Sequence, residues 1–274
     1  MRNNLVVARL ALTKYQALGN DYLVLDVAEG IETAIRLVPR LCDRHLGLGS
    51  DGLLVFDAAA MTVHVFNPDG SEAEKSGNGL RIAACHAVLE HRAPDRFDLR
   101  TRDRANQVTV LSVNGAEVVC AVDIGVPRME PDEWVELRTP AGTVRCRLVD
   151  VGNPHCVVLG EPVTAGRCRE LGPHLERHPR FPNRTNVQLA EALDRVTARC
   201  EIWERGAGYT LASGTSASAV AAALMRLGLV DAEVRVVMPG GALDIRRGPQ
   251  GRLVQAGPAR RVYRALVDTA DLDD

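Results

Sequence analysis

The sequence predicts an α/β (α+β) fold of two pseudo-symmetric lobes, each a sheet wrapped around a central helix. Strand-like runs separated by Gly/Asp turns alternate with two helical segments, and both helical segments are rich in small residues. Both also open on a Ser-Gly pair after a strand and a Gly-rich loop.

The first section reads as strands at 22–26, 52–56 and 62–66, where β-branched and aromatic residues lie between turn formers. A helix follows: Ser76, Gly77, Asn78 and Gly79 lead into LRIAACHAVLEH, whose Ala-rich face suits close packing inside a sheet. Strands at 107–113 and 117–122 come next, and the Pro-rich GVPRMEPDEW marks a lobe boundary. The second section repeats the plan with strands at 143–149 and 156–159, a polar loop through FPNRTNVQ, a strand at 199–203 and the helix SGTSASAVAAALMRLG. Asn67 lies nine residues before Ser76, and Glu204 lies nine before Ser213.

With 274 residues the chain can bury a sizeable core in one large or two ordinary domains. Hydrophobic residues make up 46%, charged residues 25%, and the formal net charge is -2. That balance gives no reason to expect nucleic acid or an anionic membrane as partner, so the expected partner is small. No apolar run approaches the ~20 residues that span a bilayer. The start MRNNLVVARLALTKYQ is too short in its apolar part for a signal peptide, so a cytoplasmic protein is expected. Seven cysteines, odd in number and never in a CxxC pair, fit reduced core thiols rather than a disulfide or zinc framework.

A helix N-terminus preceded by glycines offers unpaired amides and the positive end of the macrodipole, which together bind a carboxylate or phosphate. Gly77, Asn78, Gly214 and Thr215 are short enough for a ligand to reach the backbone, so the expected anion is the α-carboxylate of an amino acid. Ser76 and Ser213 read equally well as ordinary N-caps. Inverting a stereocentre needs one group to remove a proton from one face and another to deliver one to the opposite face, and two facing lobes suit that demand.

The segments KYQALGNDYLVLD, GLGSDGLL, FNPDGSEAEKSGNGLR, GNPHCVV, NRTNVQ, WERGAGYTLASGTSASA, MPGGALDI and GPARRVY resemble, in order, the motifs of diaminopimelate epimerases. The resemblance implies two similar lobes, each a curved, mostly antiparallel sheet around a central helix, with the active site in the cleft between them. It places 1–128 with 259–274 in one lobe and 129–258 in the other, and requires neither pyridoxal phosphate nor metal. Its substrate is a small amino acid, and it allows a homodimer. By motif position it sets Asn20, Asn67, Asn153, Asn186, Arg205 and Tyr209 around the substrate. Gly77 and Asn78, with Gly214 and Thr215, grip the carboxylate and amino end, and Glu204 and His155 are the ionisable partners of the acid/base pair.

Departures from the family pattern fall on the chemistry. Cysteines, one a thiolate base and one a thiol acid, fill the family positions of Ser76 and Ser213. A thiol ionises near 8.5 and is pushed lower at a helix start, whereas a serine hydroxyl stays protonated and needs a partner base. Lys75 is a further difference, and the family's GET triplet reads GYT here, with Tyr209 in place of glutamate. Three readings stay open: proton transfer at Cα with Ser76 and Ser213 helped by Glu204 and His155, including a dehydratase or double-bond isomerase variant; an epimerase disabled at both thiols, naturally or by design; and an amino-acid-binding module without chemistry. Of the remaining signals, HLERH reads as a charged surface turn, Asp51 as a loop turn, RRGPQGR and ARRVYR as solvated strand ends, and Cys85 as a packed thiol.

Overall fold

Strands in this chain bury alternate side chains, and each buried row needs a helix to lie against it. The computed structural model describes residues 9–27, 31–72, 76–102, 104–129 and 134–272; Lys75 and part of the expected boundary at 125–134 lie outside the described residues. The chain divides into two units, one of Met1–Ala17, Asp21–Cys120 and Pro258–Asp274, the other of Leu18–Asn20 and Ala121–Gly257.

In the first unit β1 (Arg9–Ala17) pairs with β2 (Asn20–Asp26), and β2 runs parallel to β3 (Leu53–Asp57). β3 is antiparallel to β4 (Thr62–Phe66), β4 is parallel to β5 (Arg96–Thr101), and β5 is antiparallel to β6 (Arg104–Asn114). Two short helices, α1 (Ile31–Arg36) and α2 (Val38–Cys42), connect β2 to β3, and α3 (Gly77–His91) connects β4 to β5. β7 (Glu117–Gly125) follows β6.

The second unit repeats this order. β8 (Arg128–Met129) and β9 (Val135–Thr139) pair with β10 (Gly142–Asp150), which is antiparallel to β11 (Pro154–Leu159). β11 is parallel to β12 (Asn186–Ala192), and β12 is antiparallel to β13 (Thr197–Glu204), with the short β14 (Gly208–Thr210) folded back on β13. β13 is parallel to β15 (Glu233–Met238), and β15 is antiparallel to β16 (Gly241–Arg247). α4 (Ala165–Glu176) connects β11 to β12, where α1 and α2 stand in the first unit, and α5 (Gly214–Arg226) connects β13 to β15, the place of α3. β17 (Leu253–Asp268) pairs antiparallel with β16 at its start and with β1 at its end.

The fold is therefore strand-rich α+β with mostly antiparallel pairing, as the sequence predicts. In each unit one sheet face packs on outer helices and the other on a central helix. Leu10, Leu12, Leu23, Leu25 and Val55 meet Leu37, Val38 and Leu41, while Val144, Cys156, Val158 and Leu189 meet Cys168, Leu171 and Leu175. The central helices are enclosed rather than amphipathic: every residue from Gly77 to Ala87 and from Gly214 to Met225 is buried. No helix among the described residues is long and apolar enough to cross a membrane.

Three sequence expectations are corrected. Asn186, Val187 and Gln188 belong to β12 rather than to a loop, because they pair in register with His155, Cys156 and Val157 of β11, and Val187 and Gln188 also pair with Trp203 and Ile202 of β13. The segment 259–264 is the middle of β17, not a strand end; Arg261 and Arg264 both pair with Glu90 while the backbone stays in the ladder to β1. HLERH is the last turn of α4 and the residues after it: His174 is exposed, but the Glu176 carboxylate is buried and accepts from Trp203 Nε1 at 2.8 Å and the Gly206 amide at 3.0 Å.

Gly172 allows α4 to lie on Trp203, since a Cβ there would stand 2.5 to 2.7 Å from three atoms of that side chain. Gly172→Ala is expected to lower stability by ~1–3 kcal/mol through overpacking, outweighing the roughly 1 kcal/mol gained in helix propensity. A denaturant midpoint at or above that of the parent chain would refute this packing.

Candidate functional site

Both central helices begin in the same way. Ser76 sits at φ -133, ψ 114 and its Oγ accepts from the Gly79 amide at 2.9 Å; Ser213 sits at φ -147, ψ 125 and its Oγ accepts from the Ser216 amide at 3.3 Å. Each serine is thus a true N-cap. Glycines of positive φ, Gly19 (88°) and Gly152 (106°), precede Asn20, the first residue of β2, and Asn153, the residue before β11.

At the start of α3 the sequence reading missed the residue that carries the charge. Arg81 is 0% exposed, its Nη2 donates to Asn78 Oδ1 at 2.7 Å, and its Nη1 reaches the Gly77 carbonyl at 3.4 Å. Its Nε has no partner, and among the described residues no carboxylate pairs with it. Burial lowers this guanidinium to about 10, which still leaves it charged at neutral pH. The signal for it was a lone arginine in an Ala-rich helix. Tyr22 was also missed: its hydroxyl lies 3.3 Å from Ser76 Oγ. Gly52 makes room for that ring, because a Cβ there would stand 2.8 Å from Tyr22 Cε1 and 2.3 Å from the Phe66 carbonyl.

The loops flanking Tyr22 are tied by charge. Asp21 and Asp51 accept each other's amides at 3.1 and 3.0 Å, Lys14 Nζ lies 2.6 Å from Asp21, and Arg44 spans both carboxylates at 2.7 Å. Asp51 thus forms its loop turn through a specific clasp. Burial works upward on Asp21, but Arg44 and Lys14 outweigh it and hold the carboxyl below the usual range.

At the start of α5, Ser213 and Thr215 are buried with their hydroxyls 3.3 Å apart, and Ser218 donates to the Gly214 carbonyl. His155, 1% exposed, has both ring nitrogens engaged: Nδ1 faces Gln188 Nε2 at 3.0 Å and Nε2 faces Asn153 Oδ1 at 2.9 Å. Gln188 Nε2 donates also to Ser216 Oγ at 2.9 Å, so His155, Asn153, Gln188 and α5 form one network. The Gln188 amide donates to Nδ1, so the neutral ring keeps its proton on Nε2. Asn186 donates to the Pro154 carbonyl and accepts the Arg205 amide at 3.0 Å, which sets the loop after Glu204, the last residue of β13.

Two expected site residues have other occupations. Asn67 Nδ2 donates to Ser71 Oγ at 3.0 Å, closing its own turn. The Tyr209 hydroxyl donates to Glu201 at 2.6 Å with the Arg169 guanidinium 3.9 Å over its ring; burial, then that carboxylate, pushes the phenol up to about 12. All seven cysteines are buried, and burial pushes the Cys85, Cys120 and Cys168 thiols to about 12. None of these three holds thiolate at neutral pH.

The diaminopimelate epimerase family model matches residues 12–130 and 147–262. A diaminopimelate epimerase of Azotobacter vinelandii is 39% identical, over 94% of this chain and 99% of the relative. Diaminopimelate epimerase 2 of a Nostoc species is 40% identical, over 85% and 87%. Among solved structures, a phenazine biosynthesis protein of Bacillus anthracis superposes with a TM-score of 0.70 at 14% identity, covering 95% of this chain and 99% of that one. A hydroxyproline epimerase from Agrobacterium vitis, solved with trans-4-hydroxy-L-proline, superposes with a TM-score of 0.68 at 16% identity, covering 100% and 95%.

Asp21→Asn removes the charge facing Lys14 and Arg44 and is expected to cost roughly 3 kcal/mol at neutral pH. A carboxyl depressed in the folded state contributes its full stability above the unfolded value near 3.9 and loses it as pH falls through the lower folded value. The difference in melting temperature between the parent and the variant should therefore be constant from pH 5 to 7 and shrink below about pH 4. A difference that grows on acidification rules the clasp out.

Proposed function

Since this chain belongs to the diaminopimelate epimerase family and is an isomerase of the epimerase/racemase type, we propose that it moves a proton at the Cα of a free amino acid, with hydroxyl groups where the family uses thiols. Ser76 and Ser213 act on opposite faces of that carbon. The observation that carries this reading is Arg81: a buried guanidinium with no carboxylate partner among the described residues, at a helix start, is a standing demand for an anion. The substrate carboxylate meets it, together with the first-turn amides at Gly77 and Asn78 and those at Gly214 and Thr215. The same positive charge stabilises the carbanion as its charge spreads onto the carboxylate.

A serine hydroxyl cannot take a proton from Cα unaided, so each serine needs an ionisable partner. On the α3 side the geometry favours Tyr22, in contact with Ser76. On the α5 side Glu204 is the partner of Ser213. His155 is assigned as a positioning residue, since its ring nitrogens are engaged by Asn153 and Gln188. Arg205 and the amides of Asn20, Asn153 and Asn186 orient the substrate. Tyr209, bound to Glu201, restricts what the substrate carries at its far end.

In heavy water, a panel of free amino acids that includes diaminopimelate should show Cα–H exchange with inversion for at least one member. Loss of water or ammonia points to the dehydratase variant, and a rise in melting temperature without exchange means a binding protein and defeats the isomerase reading. Ser76→Ala and Ser213→Ala should each slow exchange by ~10²-fold or more. Tyr22→Phe should lower kcat by ~10²-fold with KM little changed, whereas Arg81→Met should raise KM for the same substrate.

A further inference from the structure

At the far end of α3 two imidazoles converge on one carboxylate oxygen. His86 Nε2 lies 3.0 Å and His91 Nε2 2.8 Å from Asp26 Oδ1, and the three ligand atoms all lie within 4.8 Å of one another. Phe56 packs against both imidazole rings, with centroids 5.3 and 5.5 Å away. The His86 side chain is 2% exposed, His91 29% and Asp26 46%, so the inner ligand is fixed and the outer side is open to water. We propose that Asp26, His86 and His91 bind one divalent transition ion of the zinc type, with water in the fourth position.

Behind His86 stands a relay that suits this. The Tyr15 hydroxyl lies 3.0 Å from His86 Nδ1 and 3.4 Å from Glu90 Oε1, and Glu90 is held by Arg261 and Arg264. A metal ligand must present an unprotonated Nε2, which moves the ring proton to Nδ1. Here that proton is donated to Tyr15, whose own hydroxyl turns to Glu90, so no buried polar atom is orphaned by the tautomer change. A carboxylate-backed second partner of this type orients metal-bound histidines generally. In a tetrahedral zinc site with bonds of about 2.0 Å, neighbouring ligand atoms stand ~3.3 Å apart, so the two Asp26–histidine distances need open by only a few tenths of an ångström and the third pair, within 4.8 Å, already lies on the same side. The negative end of the helix macrodipole adds attraction for a cation. Ten or more helical residues separate the cluster from Ser76, roughly 15 Å, so the ion braces α3 and takes no part in the reaction.

The full chain, stripped with a chelator, would be titrated with Co(II) by visible absorption and with Zn(II) by calorimetry. One equivalent is expected, without sulfur-to-cobalt charge-transfer bands. His91→Gln and Asp26→Asn should weaken binding at least ~10-fold, and Tyr15→Phe by ~10- to 100-fold. The metal-free melting temperature of His91→Gln shows whether the variant folds. No binding, sulfur-to-cobalt bands, or equal binding by the parent and the His91→Gln and Asp26→Asn variants overturns the proposal and leaves a hydrogen-bonded carboxylate and its two imidazoles.

Discussion

Two helices of this fold begin inside the core, where the amides of a first turn cannot be left to bulk water. Each buried amide without a partner costs about 1–3 kcal/mol, so such a start must be satisfied by side chains, by backbone or by a ligand. Ser76 and Ser213 each take one amide, at Gly79 and Ser216. Small residues at 77–79 and 214–216 bring the surrounding chain close. The positive end of each helix is thereby kept in a poorly screened place, and at α3 the Arg81 guanidinium adds a full charge. In the proposed reading an enclosed helix start of this kind favours an anion before any question of reaction arises.

Serine and cysteine at that position answer different demands. A serine N-cap stabilises a helix by ~1 kcal/mol relative to a residue that cannot cap, and it does so in both units here. A cysteine caps less well but titrates within reach of neutral pH. In the proposed reading, with serine where the family uses a thiol, the stability term is kept and the titrating group is moved one bond network outward, to whatever the hydroxyl touches. At Ser76 the proposed group is the Tyr22 phenol, 3.3 Å away, and phenols ionise far more readily than alcohols. The chain's remaining thiols are no substitute, because all are buried.

The sequence made the repeat legible through local signals that survive folding. Ser-Gly opening a helix rich in small residues points to a helix start packed closely by its surroundings, and the equal spacing from Asn67 and Glu204 reflects the same strand-turn-helix path in each unit. What it did not show depends on partners distant in sequence. Asn186 and Gln188 are polar and read as loop until the pairing with β11, and for Asn186 the Pro154 carbonyl and the Arg205 amide, supply their partners. Arg261 and Arg264 read as solvated until Glu90, on another element, pairs with both. Glu176 in HLERH reads as surface until Trp203 and Gly206 enclose it. Arg81 was the exception that could have been found, since a charge on a helix otherwise built to be enclosed is costly unless a ligand repays it.

A repeated fold does not make the two faces of a substrate equivalent, and an isomerase cannot let them be. Both units run their strands in the same parallel and antiparallel order, yet one helix start holds a buried cation and a phenol, and the other a neutral network of His155, Gln188 and Ser216. In the proposed assignment Glu204 works through Ser213 and the Tyr22 phenol through Ser76, so the two faces of the carbon meet groups of different chemistry. Under the same assignment Arg81 anchors the substrate carboxylate whichever face loses its proton, because that carboxylate is common to both stereoisomers.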